Sequence, residues 1–431
     1  MKNKIKIAMP IVFIIIVSIV VVAIIINHGD NKTKNIISHY DAKGKYSGDY
    51  NFTENEEFAE NLLVTKSCII NEDNKFITYT DIETGKSMPL CNKPDCTHSD
   101  DSCNAKVPDP FGLEFIYYYK NNLYMFGTEE NSYKIIQADA NGSNRKEVAS
   151  FEGYDTRSSK IASSNSIYFT YSKDSGLPED GTNTSGTYSS MENEFPKQLV
   201  LAKFDFTTKK AITIYTFPKR YQSNIIIYSI DNDNIYYKYQ YNDRPMQDYV
   251  DKDDQINESK ENKSFHTGIA KINLSTQKNN IIKDDKNINS LKCYNDKIYF
   301  IYYNTKSLVC ENTFNSLDLT TGKTTKLFTL DLIKQTGDDV SLAVDKDKLI
   351  VNDSKNKKIY FYDMTGKRVK TLDNPGFYII DSCNDIYLVG IKDPWSFSFN
   401  YVKKSDIDKK DITVYSIGKP PENNAEPVPT N

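Results

Sequence analysis

The chain changes its hydrophobic pattern at Asn27. Before that point IAMPIVFIIIVSIVVVAIII runs from residue 7 to residue 26 without a charge. Twenty helical residues at 1.5 Å rise cover about 30 Å, the depth of a bilayer's hydrocarbon. A secretory leader has a shorter apolar core and a small-x-small cleavage site, so this run predicts an uncleaved transmembrane helix in contact with membrane lipid. Lys2, Lys4 and Lys6 precede it, and positive charge on a short flank stays in the cytoplasm. The expected order is a cytoplasmic tail over 1–6, an anchor over 7–26, a polar stalk over 27–57, an extracellular body over 58–417 and a disordered, proline-bearing tail over 418–431.

Beyond Asn27 the apolar residues come in short alternating runs, the period of half-buried strands. One unit recurs, an Asn or Asp turn followed by an aliphatic residue and, in most copies, a tyrosine. It reads NNLYMF from Asn121, NSIYFT from Asn165, DNIYYK from Asp233, DKIYFI from Asp296, DKLIVN from Asp347 and NDIYLV from Asn384. Behind each comes a strand, a polar turn and another strand, as in FNSLDLTTGKTTKLF from Phe314 and KIYFYDMTGKRVKTL from Lys358. ITYTDIETGKSMPL from Ile77, preceded by LLVTKSCII from Leu62, makes a seventh copy. A further apolar run separates units, such as LEFIYYY from Leu113 and NIIIYSI from Asn224. Each repeat thus offers four short antiparallel strands, and no amphipathic helix interrupts them.

Four-stranded units repeated radially close on themselves and leave no long open edge. The fold class predicted is all-β, a seven-bladed β-propeller behind a single N-terminal transmembrane helix, with six or eight blades as alternatives. The unit from Tyr133 to Val148, with Asp139, Asn141, Gly142, Ser143 and Asn144, resembles the blades of low-density-lipoprotein-receptor-related (YWTD-type) propellers. Together with LCNKPDCTHSDDSCNA, residues 90–105, it makes the chain similar to membrane-anchored propellers of uncharacterised function in low-GC Gram-positive bacteria. The likeness implies a propeller over residues 60–416 and supplies no catalytic residues.

With strands lettered A to D outward from the axis, A–B and C–D turns open on one face, B–C and D–A connections on the other. The short turns fall on the first face. The long segments 172–198 and 240–265, the shorter 393–398 and the Cys-rich insertion 91–110 fall on the second. Long loops on a rigid scaffold commonly carry binding. The Cys-rich insertion and the two longest loops hold sixteen acidic against eight basic residues, while the whole chain has a net charge of −4. An acidic face disfavours nucleic acid and favours cations, basic peptides or neutral glycans. Tyr188, Tyr241, Tyr249 and Trp395 can stack on sugar rings, and Asp251, Asp253 and Asp254 add carboxylates to the same face.

Cys91, Cys96, His98 and Cys103 give the spacing C-x4-C-x-H-x4-C. Three thiolates and an imidazole make a closed tetrahedral zinc set, which builds structure and leaves no open position for catalysis. Outside the cell a disulfide competes, Cys96 or Cys91 with Cys103, and free thiols are the third possibility. Cys293 and Cys383 read as small buried residues before a turn. The predicted function is a non-enzymatic binding, sensing or scaffolding ectodomain tethered to the cell membrane, its partner an envelope glycan, peptide or protein. A polysaccharide hydrolase or lyase is the alternative.

Overall fold

The structure is a computed structural model. It describes residues 46–49 and 62–418, apart from 155–158, 174–195, 246–247, 249–263, 305–310, 331–339, 394–395 and positions 66, 74, 94, 100, 164 and 232. The predicted anchor over 7–26 lies outside the described residues, among which no helix is long and apolar enough to cross a membrane.

Seven antiparallel sheets follow one another in chain order, and each is a simple up-and-down meander. Blade 2 shows the pattern: strand A (Gly112–Tyr119), B (Asn122–Glu129), C (Ser132–Asp139) and D (Lys146–Glu152). Every predicted Tyr-bearing unit is a strand B, from Ser166–Ser172 in blade 3 to Ile386–Asp393 in blade 7. The A–B turns need left-handed backbone at both central residues to match the strand twist. Lys120 and Asn121 have φ of 47° and 63°, Asn295 and Asp296 46° and 58°.

The C–D turns repeat one device. In Asp-x-Thr-Gly-Lys and its relatives the carboxylate turns back to cap the loop: Asp318 Oδ1 accepts from the Thr321 N–H at 2.8 Å and its hydroxyl at 2.9 Å. Asp81 does the same with Thr84, at 2.7 Å for both donors. Asp363 accepts from the Thr365 hydroxyl at 2.6 Å and the Lys367 N–H at 3.0 Å. These bonds hold all three carboxyls below the usual carboxylate value.

Blade 1 has a fifth strand. Tyr46–Asp49, part of the expected stalk, pairs with strand A (Leu63–Thr65) on its axial side and comes close to strand A of blade 3 (Lys160–Ser163). The remaining strands of blade 1 are B (Cys68–Asp73), C (Phe76–Asp81) and D (Ser87–Pro89). Blades pack face to face through aromatic and branched side chains. Between blades 2 and 3, Phe126 meets Phe169 at 5.6 Å, and Tyr133 stacks on Phe169 at 5.3 Å.

Among the described residues no strand is shared between first and last blades, and the ring closes through side chains. Leu62, Val64 and Ile69 of blade 1 interlock with Ile386, Leu388, Phe399 and Tyr401 of blade 7. Hydrogen bonds border this seam: the Tyr401 hydroxyl donates to Ile82 O at 3.1 Å, Lys403 Nζ to Glu83 O at 2.8 Å, and the Gly418 N–H to Thr80 Oγ1 at 3.1 Å. Between blades 6 and 7, buried Asp345 accepts from Lys404 Nζ at 2.6 Å, the Ser382 hydroxyl at 2.6 Å and the Tyr387 hydroxyl at 2.7 Å.

Replacing Tyr401, 0% exposed, by Ala should cost about 3–5 kcal/mol of unfolding free energy, as for other large aromatic truncations. Val369→Ala, at a side chain 52% exposed, should stay within about 0.5 kcal/mol. Urea titrations of both variants measure the difference. Because the capped turn carboxyls titrate lower when folded, their stabilisation is present above the unfolded value and lost as pH falls through the folded one. The melting temperature should therefore hold from pH 7 to pH 5 and drop below about pH 4, as calorimetry across that range would record.

Candidate functional site

The cysteine cluster grows out of the edge of blade 1. Strand D ends at Pro89, and the Leu90 N–H still donates to Ile77 O at 2.8 Å. The chain then leaves the sheet and returns at Ala105, whose carbonyl accepts from the Ile77 N–H at 2.7 Å. Lys106 pairs with Phe76, and the Val107 N–H donates to Lys75 O at 2.7 Å. Residues 91–104 are therefore an excursion from the outermost strand, on the rim of the ring. They lie between strand D of blade 1 and strand A of blade 2, the D–A connection in which the sequence pattern places them, and strand C of blade 1 holds both ends of the excursion.

Within the excursion the four side chains converge. Cys91 Sγ, Cys96 Sγ, Cys103 Sγ and a ring nitrogen of His98 all lie within 4.8 Å of one another. His98 Nδ1 is 3.3 Å from Cys103 Sγ, and His98 adopts a left-handed φ of 52°, unusual for a residue with a β-carbon. All four cysteine and histidine positions reached by the spacing argument meet at one point, with Cys103 buried and the others half-buried. Cys91, Cys96 and Cys103 are free thiols here.

Backbone amides point at two of the sulfurs. The Ala105 N–H donates to Cys103 Sγ at 3.4 Å, and the amides of Lys93 and Asn104 donate to Cys91. Burial opposes ionisation of Cys91, but those amides and the Cys96 and Cys103 thiols outweigh it and hold the Cys91 thiol below its usual value. At Cys103 burial wins, reinforced by Cys96 and Cys91, and pushes the thiol up to about 11. The cluster can hold a soft divalent cation, since three sulfurs and an imidazole are the ligand set such an ion prefers.

Blade 2 supplies the floor. Arg145, in its C–D turn, donates from Nε to Gly142 O at 2.9 Å and from its two terminal nitrogens to Lys106 O and Asn104 O. Gly142 has φ of 78°, and a β-carbon there would lie 2.3 Å from Asn104 O. Gly142 was visible in the repeat as a turn glycine. Arg145 carried no signal, because its partners are remote in sequence.

On the loop face the described part is a corner of blade 4. Tyr241, near the end of strand B (Asn234–Asn242), lies opposite His266, at the start of strand C (Phe265–Asn273), and the rings stack at 4.8 Å. The Arg220 guanidinium sits 5.0 Å from the Tyr241 ring centre, and His266 Nε2 is 2.7 Å from Asp243 Oδ2. Tyr241 is thus already engaged by its neighbours, and a ligand would meet a composite of Tyr241, His266, Asp243 and Arg220. Tyr188, Tyr249, Asp251, Asp253, Asp254 and Trp395 lie outside the described residues. A cavity of about 380 Å³ opens at the blade 1–7 seam, but its Lys403 and Lys404 are committed to Glu83 O and Asp345.

No protein-family model matches the chain, and no curated protein does. Among solved structures, an oligogalacturonate lyase in complex with manganese is 12% identical, with a TM-score of 0.46 over 84% of this chain and 86% of that one. The oligogalacturonate lyase of Vibrio parahaemolyticus is 8% identical, with a TM-score of 0.46 over 86% and 89%. TolB from Acinetobacter baumannii is 11% identical, with a TM-score of 0.33 over 73% and 60%. Likenesses at this level transfer no activity, ligand or metal to this chain.

Gly142→Ala should destabilise the protein by more than about 1 kcal/mol, since it combines a left-handed φ with a clash against the excursion. Gly322→Ala is the control: a left-handed glycine of the C–D turn in blade 5, φ of 70°, with nothing within 4 Å of the new β-carbon. Thermal melts should show a larger loss for Gly142→Ala, and the difference isolates the contact with Asn104.

Proposed function

We propose that this chain is a non-enzymatic, membrane-tethered propeller whose loop face binds or senses a ligand outside the cell. The observation that carries the reading is the separation of connections in a closed ring. Tight capped turns occupy one face, and the longest connections, 172–199 and 242–265, leave strand ends on the other. At one of those ends stands the Arg220, Tyr241, Asp243 and His266 cluster, a preformed patch of ring, cation and carboxylate at the ends of strands. Such a patch suits a neutral polyhydroxylated glycan of the cell envelope, whose hydroxyl groups both donate and accept. The excess of acidic residues in the sequence of these connections adds preference for basic peptide or protein partners over nucleic acid.

Location rests on the apolar run over 7–26 and the three lysines before it, which favour a cytoplasmic N-terminus and an extracellular propeller. The signature over 133–148 and the cysteine-rich stretch support kinship with anchored Gram-positive propellers of YWTD-like blade pattern.

The purified full chain in detergent micelles, offered to an array of neutral envelope glycans and to basic peptides, should show saturable binding. Asp243→Ala and His266→Ala should each weaken it at least fivefold with the melting temperature retained. Absence of saturable binding across the panel, or release of products from a polysaccharide by the wild-type chain, would overturn the reading.

A further inference from the structure

We infer that Cys91, Cys96, His98 and Cys103 bind one zinc ion as a closed four-coordinate centre that pins the rim excursion of blade 1 against the C–D turn of blade 2. This inference is independent of the binding reading, since the cluster lies on the outer strand of blade 1 and the aromatic patch on blade 4.

The donor geometry comes first. Zinc takes thiolate at about 2.3 Å and imidazole nitrogen at about 2.0–2.1 Å, so a regular tetrahedron spaces its sulfurs at roughly 3.8 Å. The four donor atoms here lie within 4.8 Å of one another, and His98 Nδ1 already stands 3.3 Å from Cys103 Sγ. Closing onto an ion needs shifts of about an ångström, within side-chain rotation. Nδ1 is the ring nitrogen that faces the sulfurs, so Nε2 carries the proton in the bound state.

A disulfide accounts for less of this arrangement. It would use two sulfurs and leave a third sulfur and an imidazole converging on nothing. It would also give no reason for amides to point at Cys91 and Cys103, whereas a metal-bound thiolate accepts such N–H bonds as its surrounding shell. Nor would it explain the left-handed φ of 52° at His98, a conformation that costs free energy and brings the imidazole to the sulfurs.

Charge and order point the same way. Zinc with three thiolates and a neutral imidazole carries one net negative charge. Arg145 stands behind the centre, its guanidinium bonded to the carbonyls of Asn104 and Lys106 on either side of Ala105. The fourteen residues from Cys91 to Asn104 contain no Val, Ile, Leu, Met, Phe, Tyr or Trp. Ordering each residue costs about 1–2 kcal/mol of backbone entropy, which this stretch cannot offset by apolar burial. Zinc coordination can supply that free energy directly.

The test uses the full chain, purified in detergent under reducing conditions without added metal, and zinc as the probe. Elemental analysis after zinc addition and desalting should give about one zinc per chain, and a strong chelator should lower the melting temperature. With zinc bound, Cys91, Cys96 and Cys103 should resist a thiol reagent until the chelator is added. Cobalt in place of zinc should give the visible absorption of a tetrahedral thiolate site, a readout independent of stability. His98→Ala and Cys96→Ser should each weaken zinc binding at least tenfold. Should those variants fail to fold, the wild-type stoichiometry and cobalt spectrum decide the matter alone. Below a tenth of an equivalent of zinc, no tetrahedral cobalt spectrum, or two of these three thiols lost to oxidation in the presence of saturating zinc would overturn the inference.

Discussion

Everything in this molecule that depends on relative position depends on the seam between blades 7 and 1. A propeller that closes by sharing a strand has a backbone ladder across its joint. Here each blade is built from consecutive chain, so the joint is held by interlocking side chains with a border of hydrogen bonds. The buried seam side chains contribute about 1.5–3 kcal/mol each by removal from water, enough in sum to hold two sheets together without a common strand. Non-directional burial tolerates small adjustments of blade angle. The directional bonds, Tyr401 to Ile82 O and the Gly418 amide to Thr80, select one register among the arrangements that packing alone would permit.

Inside the ring the same economy recurs. A short turn must reverse a twisted strand at low cost, and the chain does so with left-handed residues such as Asn121, Asp296 and Gly322 and, in blades 1, 3, 5 and 6, with an aspartate that caps its own loop. Both devices are local, which is why the repeat could be read from the sequence. Strand B begins directly after its two turn residues, at Asn122 after Lys120 and Asn121 and at Lys297 after Asn295 and Asp296. Tyr46–Asp49 escaped because a four-residue pairing in a polar stretch has no periodicity to detect, and its partner Leu63–Thr65 is three residues long.

The candidate sites were legible in proportion to how local they are. Four metal-type donors within thirteen residues announce themselves by spacing alone, and they meet in space. What spacing could not choose was disulfide against metal, because that turns on where the backbone amides and the imidazole point. Nor did it reveal Arg145, whose bonds to Asn104 and Lys106 span 41 and 39 residues. Tyr241 was visible as an aromatic on a long connection, but the strand register that stacks it on His266 and the bridge that brings Arg220 over it belong to the folded ring. A single ring on a loop thus became part of a composite patch.

The placement of the two clusters separates their roles. Four donors closed on one ion would leave no vacant position for substrate, and the cluster sits at the perimeter, beyond the outermost strand of blade 1 and against the turn of the next blade. The Tyr241 patch lies three blades along, at the strand ends that the connection 242–265 leaves. Between the two run continuous sheets whose cores are closely packed, so strain at one is transmitted only if blades tilt as units. The blade 1–2 clamp restrains such tilting immediately beside the seam, where the ring has no shared strand. A metal at that point would stiffen the joint's neighbour rather than the binding face, and its physical effect on ligand recognition would pass through ring closure.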